Sequence, residues 1–196
     1  NPLRPEMNHL PAPAQRFAGR EAPVHLLVLG GSQGAVALNE IVPQGLALID
    51  AEQRPLVVHQ AGARHLAQLQ ENYAAAAVQA HCVAFIEDMA GAYEWADLVI
   101  CRAGALTVAE LAATGVASVL IPFPHAVDDH QTLNANFLSL AGGAILLPQD
   151  QMTPESISEL CKCPRSRLQE MAERARELAK PEATAELARM GEELVK

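Results

Sequence analysis

The residues best suited to chemistry lie in one segment, 98–110, where an apolar run gives way to a helical pattern. Its first four residues predict a buried strand, the chain breaks at Gly104, and a helix is predicted to begin at Ala105. The first turn of a helix presents backbone N–H groups and the positive end of the helix dipole, and Thr107 adds a hydroxyl. Because these groups attract anions, the segment predicts a phosphate site.

A carboxylate follows on the same face of this predicted helix. Glu110 comes three residues after Thr107 and four after Leu106, so it projects one turn further along. A carboxylate beside a phosphate site is electrostatically unfavourable unless a neighbouring group donates hydrogen bonds to it, and the two hydroxyls of a ribose would do so. We therefore predict a site for a nucleoside diphosphate, with its phosphates at the helix start and its ribose on Glu110.

A glycine-rich turn, 30–35, follows the first predicted strand. It is not a P-loop, because no Gly-Lys-Ser/Thr follows, and it does not fit Gly-x-Gly-x-x-Gly. Close approach of the backbone to a diphosphate or a sugar is the preferred explanation, and a tight turn whose glycines serve packing alone is the alternative. The glycines predicted to support the site are Gly30, Gly31, Gly34 and Gly104.

A polar stretch, 122–135, follows a later strand and permits two interpretations. Its histidines and aspartates suggest a metal site, but their spacing matches no standard ligand pattern. Side chains that both donate and accept hydrogen bonds fit the hydroxyls of a sugar better. The residues assigned to that role are Asp129, His130, Gln131 and Asn134.

Short apolar runs alternate with helical patterns and must position these motifs. The predicted strands are 24–29, 56–59, 82–85, 98–101, 118–121 and 144–147, and the predicted helices between them are 35–49, 63–77, 89–95, 105–114 and 130–140. This order predicts an α/β fold with a doubly wound parallel sheet of the Rossmann-like type. Ligands of such sheets bind at the carboxyl ends of the strands, where every motif above falls.

Composition narrows the function classes. The net charge of −9 over 196 residues argues against nucleic-acid binding, which needs a basic stripe. No apolar run approaches the roughly 18 residues of a membrane span, and we expect no signal peptide. The four cysteines indicate a reduced, cytoplasmic chain, with Cys161-Lys-Cys163 as a weak alternative redox or metal pair. Since the chain begins with Asn1, we expect it to be part of a longer protein.

Four motifs in order closely resemble the C-terminal, donor-binding half of the MurG family, the bacterial GT-B transferases of peptidoglycan synthesis. They are Gly-Gly-Ser-Gln-Gly-Ala at 30–35, Phe-Ile-Glu-Asp-Met at 85–89, Cys-Arg-Ala-Gly-Ala-Leu-Thr-Val-Ala-Glu at 101–110 and Asp-His-Gln-x-x-Asn-Ala at 129–135. The resemblance implies transfer of N-acetylglucosamine from UDP-N-acetylglucosamine to the C4 hydroxyl of the lipid-linked acceptor, lipid I, giving lipid II. It also implies no cofactor and no essential metal at the donor site.

The resemblance further implies roles for individual residues. The backbone of Ile86 would bind uracil, although a plain strand-to-helix turn explains that segment equally well, and Glu110 would bind the ribose. The diphosphate would lie on Ala105, Leu106 and Thr107, with Ser32 and Arg4 nearby, and the sugar on His130, Gln131 and Asn134. No catalytic residue is expected in this chain, because the family's general base belongs to an N-terminal domain. The chain alone should therefore bind donor without turnover.

The same resemblance predicts the organisation and the setting of the chain. Residues 1–22 would form an interdomain segment or linker, 23–163 the donor domain, and 164–196 helices that pack on this domain and towards the N-terminal one. Lipid I would bind through that N-terminal domain, with the whole enzyme peripheral to the cytoplasmic side of the inner membrane and this chain itself soluble.

Three alternatives remain open. One is the donor subunit of a two-chain N-acetylglucosaminyl transferase such as that of the dolichol pathway. Another is a nicotinamide-binding oxidoreductase domain, disfavoured because the second strand ends in His59-Gln60 where an acid is expected. The third is a sensor of nucleotide sugars without chemistry.

Overall fold

The computed structural model describes residues 3–21, 23–31, 35–124 and 129–180. In this part of the chain six parallel strands form one sheet, in the order β3-β2-β1-β4-β5-β6. The strands are β1 (His25–Leu29), β2 (Leu56–Gln60), β3 (His81–Val83), β4 (Leu98–Cys101), β5 (Ala117–Leu120) and β6 (Ala144–Leu146). The helices are α1 (Pro13–Phe17), α2 (Val36–Ala47), α3 (Leu66–Ala75), α4 (Met89–Trp95), α5 (Ala105–Thr114), α6 (His130–Ser139), α7 (Pro154–Cys161) and α8 (Arg165–Glu177).

Helices cover both faces of the sheet. Because neighbouring residues of a strand point to opposite faces, each strand contributes side chains to two core clusters. On β1, Leu26 and Val28 join one core cluster with residues of α2, α3 and α7. Leu27 and Leu29 join a second cluster with residues of α4, α5 and α6. Burial on both sides explains why the strands are apolar runs rather than alternating patterns, and it confirms the predicted doubly wound α/β fold.

The strand order reverses between β1 and β4. The chain first builds outwards from β1 to β3 and then returns to add β4 on the other side of β1. The loops after β1 and β4 therefore diverge and leave a crevice at the carboxyl edge of the sheet, which is where ligands of such folds bind. These are the loops that carry the glycine-rich turn and Gly104.

The boundaries of two predicted elements were wrong. The third strand, predicted at 82–85, ends at Val83, because Val83 pairs with Gln60, the last residue of its only neighbour, β2. The helix predicted at 63–77 begins as a 3-10 turn, Ala63–His65, and becomes α-helical only at Leu66.

The segment interpreted as a linker, 5–22, is folded onto the domain over its described residues. It contains a 3-10 helix, Pro5–His9, and the short helix α1. Met7 and Phe17 are buried in the two core clusters. Periodicity could not reveal this packing, because each short helix contributes only a few large side chains to the core.

The C-terminal part begins with α7, capped by Thr153, whose hydroxyl accepts a hydrogen bond from the Ser156 N–H at 3.2 Å. One face of α8 is buried, and its members are Leu168, Met171, Ala172 and Ala175. The rest of the predicted helical segment 164–196, from residue 181 on, lies outside the described residues. None of the described helices combines the length and the apolar character that crossing a membrane requires.

Candidate functional site

A cavity of about 240 Å³ lies at the carboxyl ends of β1 and β4. It brings together four predicted residues from two motifs and the chain start, namely Arg4, Ile86, Thr107 and Glu110, and from a third motif Gly30 and Gly31. The other lining residues are Leu29, Gln60, Phe85, Met89, Tyr93, Cys101 and Arg102. These predicted residues therefore line one cavity.

The start of α5 forms one wall of this cavity. Gly104 is its N-cap and supplies no side-chain cap, and Leu106 in the first turn is 53% exposed. A Cβ at Gly104 would meet only the Thr107 hydroxyl, at 3.7 Å. The N-cap residue thus contributes no side chain to the first turn of α5, and such a turn suits an anion.

Glu110 lies deeper in the same cavity and is only 8% exposed. Its Oε2 accepts a hydrogen bond from the hydroxyl of Tyr93 at 3.0 Å. Burial raises the pKa of the Glu110 carboxyl, although the Tyr93 hydrogen bond and the charge of Arg4 act in the opposite direction. A buried carboxylate with this incomplete compensation favours a ligand that donates further hydrogen bonds to it.

Gln60 organises the glycine-rich turn at the opposite wall. Its backbone carbonyl accepts from the Gly30 N–H at 2.9 Å, and its Oε1 accepts from the Gly31 N–H at 3.3 Å. Gly31 has φ +76°, which favours glycine for conformational reasons, since a Cβ there would meet nothing within 4 Å. Two further predicted residues of this turn, Ser32 and Gly34, lie outside the described residues.

Ile86 is half-buried at the cavity, between the end of β3 and the start of α4. The helix that follows it is capped by Asp88, whose Oδ1 accepts from the Gly91 N–H at 2.9 Å. The neighbouring Phe85 is 68% exposed. The segment thus presents apolar groups and backbone at the rim of the cavity, consistent with a planar base as ligand.

The residues predicted to hold the sugar do not share this cavity. Asn134 lines a neighbouring cavity of about 310 Å³ together with Ala105, and its Nδ2 donates to the Ala103 carbonyl at 3.1 Å. Gln131 lines a third cavity, and its Oε1 accepts from the Phe123 N–H at 2.9 Å. His130 is exposed at the start of α6. None of these three residues lines the Glu110 cavity.

Among the lining residues that were not predicted as site residues, three can form hydrogen bonds: Arg102, Gln60 and Tyr93. Arg102 donates to the Gln149 Oε1 at 2.6 Å, and burial lowers the pKa of its guanidinium. It also lines both the Glu110 and the Gln131 cavities. Arg102 lies just before the start of α5 and Gln60 lies at the end of β2. Both positions are at the carboxyl edge of the sheet and could have identified these residues as site candidates. Tyr93 gave only the weaker signal that a buried tyrosine hydroxyl needs a partner.

Metal ligation was tested over the described residues. These contain no group of three or more His, Cys, Asp or Glu side chains arranged to hold a metal ion. Cys161 and Cys163 are free thiols. His125 and Asp128, half of the set considered for a metal, lie outside the described residues.

Comparison with known proteins points in one direction. The model of the glycosyltransferase family 28 C-terminal domain matches residues 25–189. The chain is 62% identical over 196 residues to a Dechloromonas aromatica protein named UDP-N-acetylglucosamine--N-acetylmuramyl-(pentapeptide) pyrophosphoryl-undecaprenol N-acetylglucosamine transferase, covering 100% of this chain and 56% of the relative. The Nitrosospira multiformis protein of that name is 60% identical over 185 residues, covering 94% and 52% respectively. The chain thus spans about half the length of these relatives.

Solved structures agree with this result. Acinetobacter baumannii MurG superposes with a TM-score of 0.87 at 42% identity, covering 94% of this chain and 54% of that one. The glycosyltransferase VinC, solved in complex with dTDP, superposes with a TM-score of 0.57 at 18% identity, covering 94% and 45%. The second likeness concerns the fold alone, and it indicates that half of a GT-B glycosyltransferase has this architecture.

Proposed function

Because the chain belongs to glycosyltransferase family 28, as its C-terminal domain, we propose that it is the half that binds UDP-N-acetylglucosamine in an inverting transferase. The whole enzyme would transfer N-acetylglucosamine to the C4 hydroxyl of lipid I and produce lipid II for peptidoglycan synthesis. The names of the relatives, which specify an N-acetylglucosamine transferase and an undecaprenol-linked acceptor, support this proposal.

One observation carries the assignment of the donor site: the buried Glu110 shares a cavity with Thr107 of the first turn of α5. A phosphate alone would avoid this carboxylate, and a neutral sugar alone would not need the positive end of a helix. A nucleoside diphosphate satisfies both groups, with its ribose hydroxyls donating to Glu110 and its phosphates accepting from the backbone at Leu106 and Thr107. Ile86 would bind the base through its backbone.

The chemistry that this site supports is stabilisation of a leaving group. In a direct displacement at the anomeric carbon, negative charge develops on the departing UDP. The start of α5 and the guanidinium of Arg102 lie where they can stabilise that charge without reorganising. Since a helix dipole and a cation are already present, we propose that the donor site needs no divalent metal.

The acceptor side belongs to the part of the relatives that this chain does not span. We propose that lipid I and the general base that deprotonates its hydroxyl are held there, so that this chain alone binds donor without turnover. Peripheral association with the cytoplasmic side of the inner membrane is part of the same proposal, because the acceptor is a lipid.

A nicotinamide site is the candidate from another class, and the geometry does not favour it. The end of β2 carries Gln60, whose amide is engaged with the Gly31 N–H and, through Nε2, with the Ala84 carbonyl at 3.5 Å. A dinucleotide site needs an acidic group for the ribose at this strand end.

Isothermal titration calorimetry of this chain in EDTA tests the proposal. UDP and UDP-N-acetylglucosamine should bind and NAD should not. Glu110→Ala should weaken UDP binding roughly 10- to 100-fold, the range expected when hydrogen bonds to a charged group are lost. Glu170→Ala, which removes an exposed carboxylate of α8, is the matched control and should leave binding unchanged. Binding of NAD without binding of UDP would contradict the proposal.

A further inference from the structure

We propose that Tyr93 is a positioning residue for ribose recognition, because its hydroxyl fixes the carboxylate of Glu110 in the orientation that a ribose needs. This inference rests on the proposed function, in which Glu110 binds the ribose of a uridine nucleotide. Tyr93 belongs to α4 and lies outside the phosphate-binding segment. The inference adds it to the residues that distinguish a ribonucleotide from a nucleotide without ribose hydroxyls.

The contact between Tyr93 and Glu110 gives the two carboxylate oxygens of Glu110 different roles. The Tyr93 hydroxyl donates to Oε2 of Glu110 at 3.0 Å, and both residues line the cavity. Over the described residues, Oε1 accepts no hydrogen bond from another side chain. One oxygen is thus held by the protein, and the other is left to accept from the ligand. A carboxylate that is held in this way has fewer orientations to lose when a ribose binds.

Tyr93 itself is held firmly enough to act as a support. Its side chain is 0% exposed. Its backbone carbonyl accepts from Nη1 of Arg16 at 3.1 Å, and Nη2 of Arg16 donates to the Thr114 carbonyl at 2.9 Å. The guanidinium of Arg16 therefore joins the end of α4 to the end of α5, the two helices that carry Tyr93 and Glu110. The distance between these two side chains is set by the fold before any ligand arrives.

The pKa of Glu110 also indicates that Tyr93 supports the ionised carboxylate. Burial raises the pKa of Glu110, and the Tyr93 hydrogen bond is the largest of the effects that lower it. Removal of the hydroxyl should therefore raise this pKa further. Because the ionised carboxylate is the better acceptor for ribose hydroxyls, ligand binding by a Tyr93→Phe variant should begin to fail at a higher pH than binding by the wild type.

The experiment compares UDP with 2′,3′-dideoxyuridine diphosphate, which lacks the hydroxyls in question, as ligands of wild type and of Tyr93→Phe. We expect Tyr93→Phe to weaken UDP binding about tenfold and dideoxy-UDP binding less than twofold. Tyr73→Phe is the matched control, because Tyr73 is a buried tyrosine of α3 whose hydroxyl is bonded to Nδ1 of His59 at 2.9 Å, away from this cavity. It should change neither affinity.

Each outcome is decisive. If the wild type does not bind UDP, the proposed function fails and the inference falls with it. If the wild type binds UDP but Tyr93→Phe keeps the full preference for UDP over dideoxy-UDP, only the inference is overturned. Equal weakening of both ligands would also overturn it, because that result indicates a role in packing alone. Thermal melting of each variant verifies folding, and titrations across pH 5–8 verify the shift of the acid limb.

Discussion

At the scale of single residues, the candidate site places a carboxylate where burial disfavours its charge. Glu110 lies beneath the helix start, and burial raises its pKa. The folded state therefore carries an unfavourable electrostatic contribution whenever Glu110 is ionised, and under the proposed function ligand binding is the benefit that explains it. The position of Glu110 in the motif was predictable from its spacing to Thr107. The contact with Tyr93 was not, because it joins two helices whose packing no local pattern encodes.

Glu110→Gln should separate stability from binding. Because the folded-state pKa is raised, the unfavourable term is present at pH 7 and disappears as the pH falls below the usual range of a glutamate. The variant should therefore melt at the same or a higher temperature than wild type at pH 7, with the gap closing near pH 4, while UDP binding weakens at pH 7. Thermal melting at both pH values and calorimetry provide the measurements. A clear loss of stability at pH 7 would contradict this account.

At the scale of elements, local hydrophobic patterns in the sequence predict most strands of the sheet and the helices between them. Runs such as 98–101 are short, apolar and followed by glycine or proline, so strand type and order were predictable. The short helices of 5–22 were not, since their few buried residues form no periodic face. The end of β3 was not either, because it depends on the pairing of Val83 with Gln60. Elements whose bounds depend on contacts with other elements cannot be predicted from local sequence.

The contact of α2 with α7 depends on a glycine in the last turn of α2. A Cβ on Gly45 would lie 2.7 Å from Cβ of Ile157 and 2.8 Å from the carbonyl oxygen of Pro154. Gly45→Ala should therefore destabilise the fold by about 1–3 kcal/mol, the range for overpacking. This sign is opposite to the gain of up to about 1 kcal/mol that alanine brings to an unhindered helix. Urea unfolding measures the difference.

The matched control for this prediction is Gly104→Ala, a second glycine with an ordinary negative φ. A Cβ there meets only the Thr107 hydroxyl, at 3.7 Å, so no overpacking is expected, and the loss should stay below about 1 kcal/mol, the preference for glycine over alanine at an N-cap. Wild-type stability of Gly45→Ala would show that α7 moves away from α2 without loss, and would remove the packing explanation.

At the scale of the whole molecule, a single buried carboxylate joins parts of the chain that are remote in sequence. Asp97 precedes β4 and is fully buried. Its oxygens accept from Arg20 at 2.6 Å, from Arg165 of α8 at 2.8 Å and from the His25 N–H at 3.0 Å. The segment before β1, the sheet and the C-terminal helix thus meet at this group. The local sequence of these three parts does not predict that they meet at Asp97.

Asp97→Asn should reveal how much this junction contributes. Burial alone would raise the pKa of Asp97, but the hydrogen bonds from Arg165, from the His25 N–H and from Arg20 outweigh it, so the pKa is lowered. A lowered folded-state pKa means that the stabilisation is complete above the usual range of an aspartate and is lost as the pH falls through the folded-state value. We expect a loss of about 2–4 kcal/mol at pH 7, since one partner of a buried ion pair is removed.

The difference between Asp97→Asn and wild type should shrink steadily below about pH 4, where protonation removes the same charge from the wild type. Glu170→Gln is the control, because its ion pair with Arg174 is exposed and should contribute less than about 0.5 kcal/mol. Urea unfolding at several pH values measures both. A loss that is independent of pH would mean that Asp97 acts through shape and neutral hydrogen bonds, and that charge does not hold the N-terminal segment and α8 to the sheet.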